Sequence, residues 1–136
     1  MVDLKRQQKS IKAEIDLAIQ GVLEATNFIN GEPVREFEKN LSEWVGAKYV
    51  ISCANGTDAL QLAFMALGLK LGDEVIVPNF TYVATAEVIA LLGLKPILVD
   101  VDSQSFNINI EAASNLVSSR TKAIVPVHLY GQSADM

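Results

Sequence analysis

Gly72-Asp73-Glu74-Val75-Ile76-Val77-Pro78 is the stretch that decides how this chain folds. Gly72-Asp73 is turn chemistry, and Val75-Ile76-Val77 is an unbroken β-branched run. Pro78 has no N–H to give a ladder, so the strand stops there. A strand that is apolar at every position, rather than alternating, is covered on both faces. Working outward, Pro96-Ile97-Leu98-Val99-Asp100 and Ala123-Ile124-Val125-Pro126-Val127 read the same way, and Tyr49-Val50-Ile51-Ser52 reads as a shorter strand. Between them lie helical segments: Thr57 to Leu67, Tyr82 to Leu92 with a stop at Gly93, and one capped by Asn109 that runs to about Val117. Buried strands alternating with helices predict an α/β fold whose mainly parallel sheet is covered by helices.

The chain before Tyr49 has a different rhythm and carries most of the charged residues. Ile11, Ile15, Ile19, Val22 and Leu23 recur at helical spacing and predict a helix from about Ser10 to Ala25. Asn27-Phe28-Ile29-Asn30-Gly31 breaks it, and Pro33 suits the first turn of a second helix. Val34, Phe37, Leu41, Trp44 and Val45 form that helix's apolar face, and Gly46 ends it. A packed surface layer and an arm gripping another subunit both fit such helices. The expected organisation is an N-terminal helical segment, 1–47, followed by an α/β segment, 48–136.

Composition excludes several function classes. The 136 residues are 50% hydrophobic and 20% charged, with a net charge of −5. Disorder is excluded, because a chain this apolar can bury a core. Nucleic-acid binding is disfavoured, since no basic excess exists to displace phosphate counterions. The single cysteine, Cys53, leaves no internal disulfide, and with the single histidine, His128, it makes no zinc site. No secretory leader is read at Met1–Gln8, and the apolar run Val88–Leu94 is too short to span a membrane. A cytoplasmic protein is expected.

Ligands in open α/β sheets bind beyond the carboxyl ends of the strands. Three loops are expected there. In Cys53-Ala54-Asn55-Gly56-Thr57-Asp58, the amides of Gly56, Thr57 and Asp58 open a helix, where the dipole favours an anion such as phosphate. Ordinary capping by Asn55 or Thr57 explains the same residues and is the commoner outcome. In Pro78-Asn79-Phe80-Thr81-Tyr82-Val83-Ala84-Thr85, the rings of Phe80 and Tyr82 either stack on a flat cofactor or fill the core. In Val127-His128-Leu129-Tyr130-Gly131-Gln132, His128 is a pocket residue, an acid–base group or a hydrogen-bonded structural residue. Asp100 and Asp102 fit turns. The sequence has no Gly-x-Gly-x-x-Gly after a strand, no Gly-Lys-Ser/Thr and no Gly-x-Ser-x-Gly.

Taken in order, Phe28-Ile29-Asn30-Gly31, Val34-x-Glu36-Phe37-Glu38, Asn55-Gly56-Thr57-Asp58-Ala59-Leu60, Gly72–Pro78, Phe80–Thr85 and Thr121–Gly131 form a set. That set resembles the amino-terminal part of the DegT/DnrJ/EryC1/StrS sugar aminotransferases, pyridoxal-phosphate enzymes of fold type I. The resemblance covers almost the whole chain. It implies an incomplete large domain of that fold. It implies a nucleotide-linked keto-sugar as substrate, with glutamate as nitrogen donor, and a homodimer. The wording Cys53–Leu60 is similar to members that aminate a UDP-N-acetyl-3-keto-glucuronic acid derivative.

Carried over by position, Gly56 and Thr57 match the family's phosphate-binding turn, with the Asp58 backbone beside them. Tyr82 matches the aromatic that stacks on the pyridine ring, and His128 and Tyr130 match a pocket-edge strand end. None of Lys5, Lys9, Lys12, Lys39, Lys48, Lys70, Lys95 and Lys122 matches the family's Schiff-base lysine. That lysine and the Asp that pairs with the pyridine nitrogen are expected beyond residue 136, so no catalytic residue is assigned here. No metal is expected. An incomplete sheet should leave apolar surface exposed. A non-catalytic α/β module binding a phosphate-bearing ligand or a partner subunit remains the alternative.

Overall fold

A computed structural model describes residues 2–136. The chain divides into two compact units, the first ending at Ser52 and the second spanning Cys53–Met136. That division falls five residues later than the change of rhythm in the sequence suggests. The reason is Tyr49–Ser52, which is not a strand: it finds no ladder partner among the described residues, and its Ser52 amide donates instead to Glu38 Oε1 at 2.8 Å.

The first unit holds α1 (Leu4–Ala25) and α2 (Glu32–Val45). Helix α1 begins six residues before the expected start. Asp3 caps it by accepting from the Arg6 amide at 3.0 Å, and the polar run Lys5–Lys9 hid that turn from an apolar periodicity. Gly31 opens α2, with Pro33 in its first turn. A Cβ at Gly31 would meet the Asn27 carbonyl oxygen at 2.6 Å, so only glycine lets the chain double back there. Gly46 ends α2 in the left-handed conformation. Neither helix contains a buried residue.

The second unit is built on a three-stranded parallel sheet in the order β2-β1-β3, with β1 Glu74–Pro78, β2 Lys95–Val99 and β3 Thr121–Ile124. It also contains α3 (Gly56–Ala66), α4 (Ala84–Leu91) and α5 (Ile110–Asn115). Every residue of β1 is buried. Val75 and Val77 pack with Phe64 of α3 and Val88 and Ile89 of α4, while Ile76 packs with Val99, Ile108 and Ala113 of α5 on the other face. The unbroken apolar run thus sorts by the twofold period of a strand into two cores. The chain steps outward from β1 to β2, then returns across the α5 face to β3. Strand order therefore reverses at β1.

The remaining boundaries differ by small amounts with local causes. Helix α4 starts at Ala84 rather than Tyr82, because the Tyr82 carbonyl is spent on a turn with the Thr85 amide. Helix α5 stops at Asn115 rather than near Val117. Strand β3 starts two residues early. Val125 adds one more ladder bond, to the Ile76 carbonyl, before Pro126 ends pairing. The edge strands leave Leu98 57% and Ile124 48% exposed, the uncovered apolar surface expected of a partial sheet.

A buried carboxylate ties the amino-terminal rim of the sheet. Glu74 Oε2 accepts from Ser118 Oγ at 2.6 Å, and its Oε1 accepts from Arg120 at 2.7 Å and faces Lys95 Nζ at 3.5 Å. One side chain of β1 thereby reaches β2 and the approach to β3. The Ser118 hydroxyl, then the Arg120 and Lys95 charges, hold the Glu74 carboxyl below the usual glutamate range against the opposing effect of burial.

A carboxyl that is more acidic when folded contributes stability above its unfolded pKa and loses it as pH falls through the folded value. The thermal unfolding midpoint of the chain should therefore fall as pH drops below about 4. Glu74→Gln should lower the midpoint at neutral pH and flatten that acid slope; an unchanged slope would remove Glu74 from the account. At Gly93, where φ is +71° as α4 turns into β2, alanine should destabilise by about 1–2 kcal/mol, read by denaturant titration.

Candidate functional site

The carboxyl ends of parallel strands share one rim, and a strand-order reversal opens a crevice there. The loop after β1 carries Asn79, Phe80, Thr81 and Tyr82, and the segment after β3 carries His128 and Tyr130. Helix α3 packs on the α4 face and returns through the short connection Leu67–Asp73 into the start of β1. Its other end, the amino terminus, is opened by Asn55.

At that terminus the Asn55 side chain accepts from the Asp58 amide at 3.0 Å, and the Asn55 carbonyl accepts from Ala59 at 3.1 Å. Of the two alternatives on the sequence, capping is the one the hydrogen bonds show, and it uses a single amide. The Asp58 amide belongs to the cap. The amides of Gly56 and Thr57, and the Thr57 hydroxyl, have no partner among the described residues. Open space surrounds Gly56. The Asp58 carboxylate is drawn back onto Asn55 Nδ2 at 3.1 Å, where it adds to the cap. Thr57 also lines a shallow depression with Glu87, Val88 and Leu91 of α4. Two free amides, a hydroxyl and a helix dipole at an open turn suit a phosphate ester.

Neither ring of the β1 loop fills the core. Tyr82 is 76% exposed and lies one residue before the turn into α4, so its face is free to take a flat ring. Phe80 is half-exposed and meets Phe106, ring centroids 5.5 Å apart. Phe106 carried no signal in the apolar pattern. The feature that could have pointed to it is Asp102-Ser103-Gln104-Ser105, a side-chain-capped turn. Asp102 Oδ1 accepts from the Gln104 amide at 3.0 Å, the Ser105 amide at 2.8 Å and Ser105 Oγ at 2.9 Å. These bonds, that of the Ser105 amide foremost, hold the Asp102 carboxyl below the usual aspartate range. Asp100 likewise accepts from its neighbour, the Val101 amide.

His128 has a structural partner. Its Nδ1 accepts from the Ala134 amide at 2.9 Å, pinning the returning segment, which puts the ring N–H on Nε2. Tyr130 beside it is 88% exposed, with φ at +53°. Gly56 and Thr57 therefore share one turn, Tyr82 lies in a rim loop, and His128 is tied to the backbone. Among the described residues no cluster of His, Cys, Asp and Glu has metal-site geometry, and no helix is long and apolar enough to cross a membrane.

Comparison with known proteins agrees with this architecture. Residues 9–136 match the model of the DegT/DnrJ/EryC1/StrS aminotransferase family. The chain is 57% identical, over 98% of its length, to UDP-2-acetamido-2-deoxy-3-oxo-D-glucuronate aminotransferase of Pseudomonas aeruginosa. It is 43% identical over its whole length to UDP-N-acetyl-3-dehydro-alpha-D-glucosamine 3-aminotransferase of Acidithiobacillus ferrooxidans. In each case it spans 37% of the relative. A DegT DnrJ EryC1 StrS aminotransferase from Brucella abortus superposes with a TM-score of 0.90 at 45% identity, over 98% of this chain and 38% of that one. NtdA of Bacillus subtilis, solved with bound cofactor PMP, gives 0.89 at 37% identity over 93% and 29%. A family match across nearly all of these residues, with the same α/β arrangement in its solved members, means that the chain belongs to the DegT/DnrJ/EryC1/StrS aminotransferase family.

Proposed function

We propose that the whole protein of which these residues form the amino-terminal part transfers an amino group, from glutamate, to a nucleotide-linked keto-sugar. It uses pyridoxal phosphate, and a UDP-N-acetyl-3-keto-glucuronic acid derivative is the favoured substrate. The 57% identity to the Pseudomonas aeruginosa aminotransferase supports that choice. Supply of amino sugars to polysaccharides is the role that follows, in the cytoplasm and as a homodimer. The observation that carries the reading is the pair of unpartnered amides at Gly56 and Thr57 at the start of α3; the short return from α3 into β1 would bring them toward the sheet's carboxyl rim.

The residues present fit the cofactor's anionic end and one face of its ring. The Gly56 and Thr57 amides and the Thr57 hydroxyl would hold the phosphate by charge-assisted hydrogen bonds. Asn55 keeps the turn in shape by retaining the Asp58 amide. Tyr82 would cover the pyridine ring and exclude water from that side. His128, through Nε2, would border the pocket at the end of β3. When bound, pyridoxal phosphate supplies the electron sink that lets nitrogen pass between two carbon skeletons. In this reading the lysine and aspartate that complete that chemistry come from outside residues 1–136.

Three outcomes test the proposal. Residues 1–136 alone should show no transamination, so a lysine-linked cofactor absorbance that disappears on adding glutamate would contradict it. In the full-length polypeptide, Thr57→Val should weaken pyridoxal phosphate binding about tenfold, the loss of one hydrogen bond to a charged group. Backbone NMR should show the largest shifts on cofactor addition at Gly56 and Thr57; largest shifts elsewhere would move the site.

A further inference from the structure

Phe106 has a backbone that a phenylalanine avoids. Its φ is +57°, in the region where a Cβ crowds the following carbonyl, and a turn needing only that shape would be served by glycine or asparagine. The surroundings over-determine it. The Phe106 amide donates to the Asp102 carbonyl at 2.9 Å, the Asp102 amide donates to the Asn107 carbonyl at 2.8 Å, and Val101 bridges Ile108. The three hydrogen bonds on Asp102 Oδ1 close the turn from inside. Such strain persists where the side chain it presents has a task.

The task is visible in what the ring touches. Phe106 lies against Phe80 at 5.5 Å and 35°, a tilted aromatic pair. Phe80 sits in the loop that ends at Tyr82. That loop is tied at its start by the Asn79 amide to the Val99 carbonyl, and at its end by the Tyr82 carbonyl to the Thr85 amide. Between those ties the amides of Phe80 and Thr81 have no partner among the described residues. The ring contact acts on this stretch, where the backbone makes no bond of its own through those amides.

We infer that Phe106 is a positioning residue: through Phe80 it fixes the Asn79–Tyr82 loop and so sets the Tyr82 ring that walls the cofactor pocket. This rests on the reading of Gly56, Thr57 and Tyr82 given above. Phe106 itself touches neither phosphate nor reacting atoms, and the loop, not the phosphate turn, should register its loss.

The test uses the full-length polypeptide and four variants. Phe106→Ala removes the ring and keeps the strained backbone. Phe106→Gly removes the ring and relieves the strain, which separates a fold effect from a contact effect. Phe106→Tyr keeps a flat ring. Thr57→Val reports on the phosphate turn alone. Hydrogen exchange at residues 79–82 should speed about tenfold in the alanine and glycine variants, and return to normal in the tyrosine variant, with 75–77 unaffected. Pyridoxal phosphate should bind about tenfold more weakly to the alanine and glycine variants, while inorganic phosphate binds as before. Unchanged exchange at 79–82, equal loosening of 75–77, or unchanged pyridoxal phosphate affinity despite a loosened loop each overturn the inference. Indifference of both ligands to Thr57→Val overturns the site reading instead, and leaves the exchange result to decide whether Phe106 holds the loop.

Discussion

The second unit depends on one constraint: β1 is buried on both faces and paired on both edges. Its fully buried apolar side chains, Val75, Ile76 and Val77, each contribute about 1.5–3 kcal/mol by leaving water. They do so only if helices cover both sides. That requirement sends α4 over one face and α5 over the other, and it places β2 and β3 on opposite sides of β1. Because all three strands are parallel, their carboxyl ends then meet at one rim. The place where ligands gather is a consequence of how one strand is buried.

Two places in the second unit use polar groups in opposite ways. At the amino-terminal rim, Glu74 is saturated: each carboxylate oxygen has a donor, and the cluster binds three chain segments together. A buried charge is tolerated only with such partners. At the start of α3, by contrast, donors are left free. The Asn55 cap takes one amide of α3, holding the turn rigid, while the two preceding amides stay open. Saturation gives stability, and the open amides are what the proposed phosphate site rests on.

Left-handed backbone at residues with a Cβ occurs twice near this rim, at Phe106 and Tyr130. Both are aromatic. In the Phe106 turn the strain is offset by a dense set of short-range hydrogen bonds on Asp102, and Asn107 Oδ1 is buried without a partner among the described residues. An unpaired buried oxygen costs about 1–3 kcal/mol, so the turn is built for the position of its ring rather than for its own stability.

The sequence by itself determined the α/β class, the three sheet strands, the helices between them and the Asn55-Gly56-Thr57 start of α3. These follow from local properties: apolar runs, turn residues and caps act over a few positions, and the ordered set of motifs already pointed to the aminotransferase family. Tertiary structure alone decided the rest. Tyr49–Ser52 has strand composition yet no neighbour to pair with among the described residues, and a strand exists only with a partner. Whether Phe80 and Tyr82 were core or surface depended on where α4 began. Which amides of α3 remained free depended on the Asn55 side chain, and the meeting of Phe80 with Phe106 depended on parallel strands bringing two distant loops to one rim. Each is a contact between groups whose spacing in the chain carries no periodic signal, so only the folded arrangement could fix it.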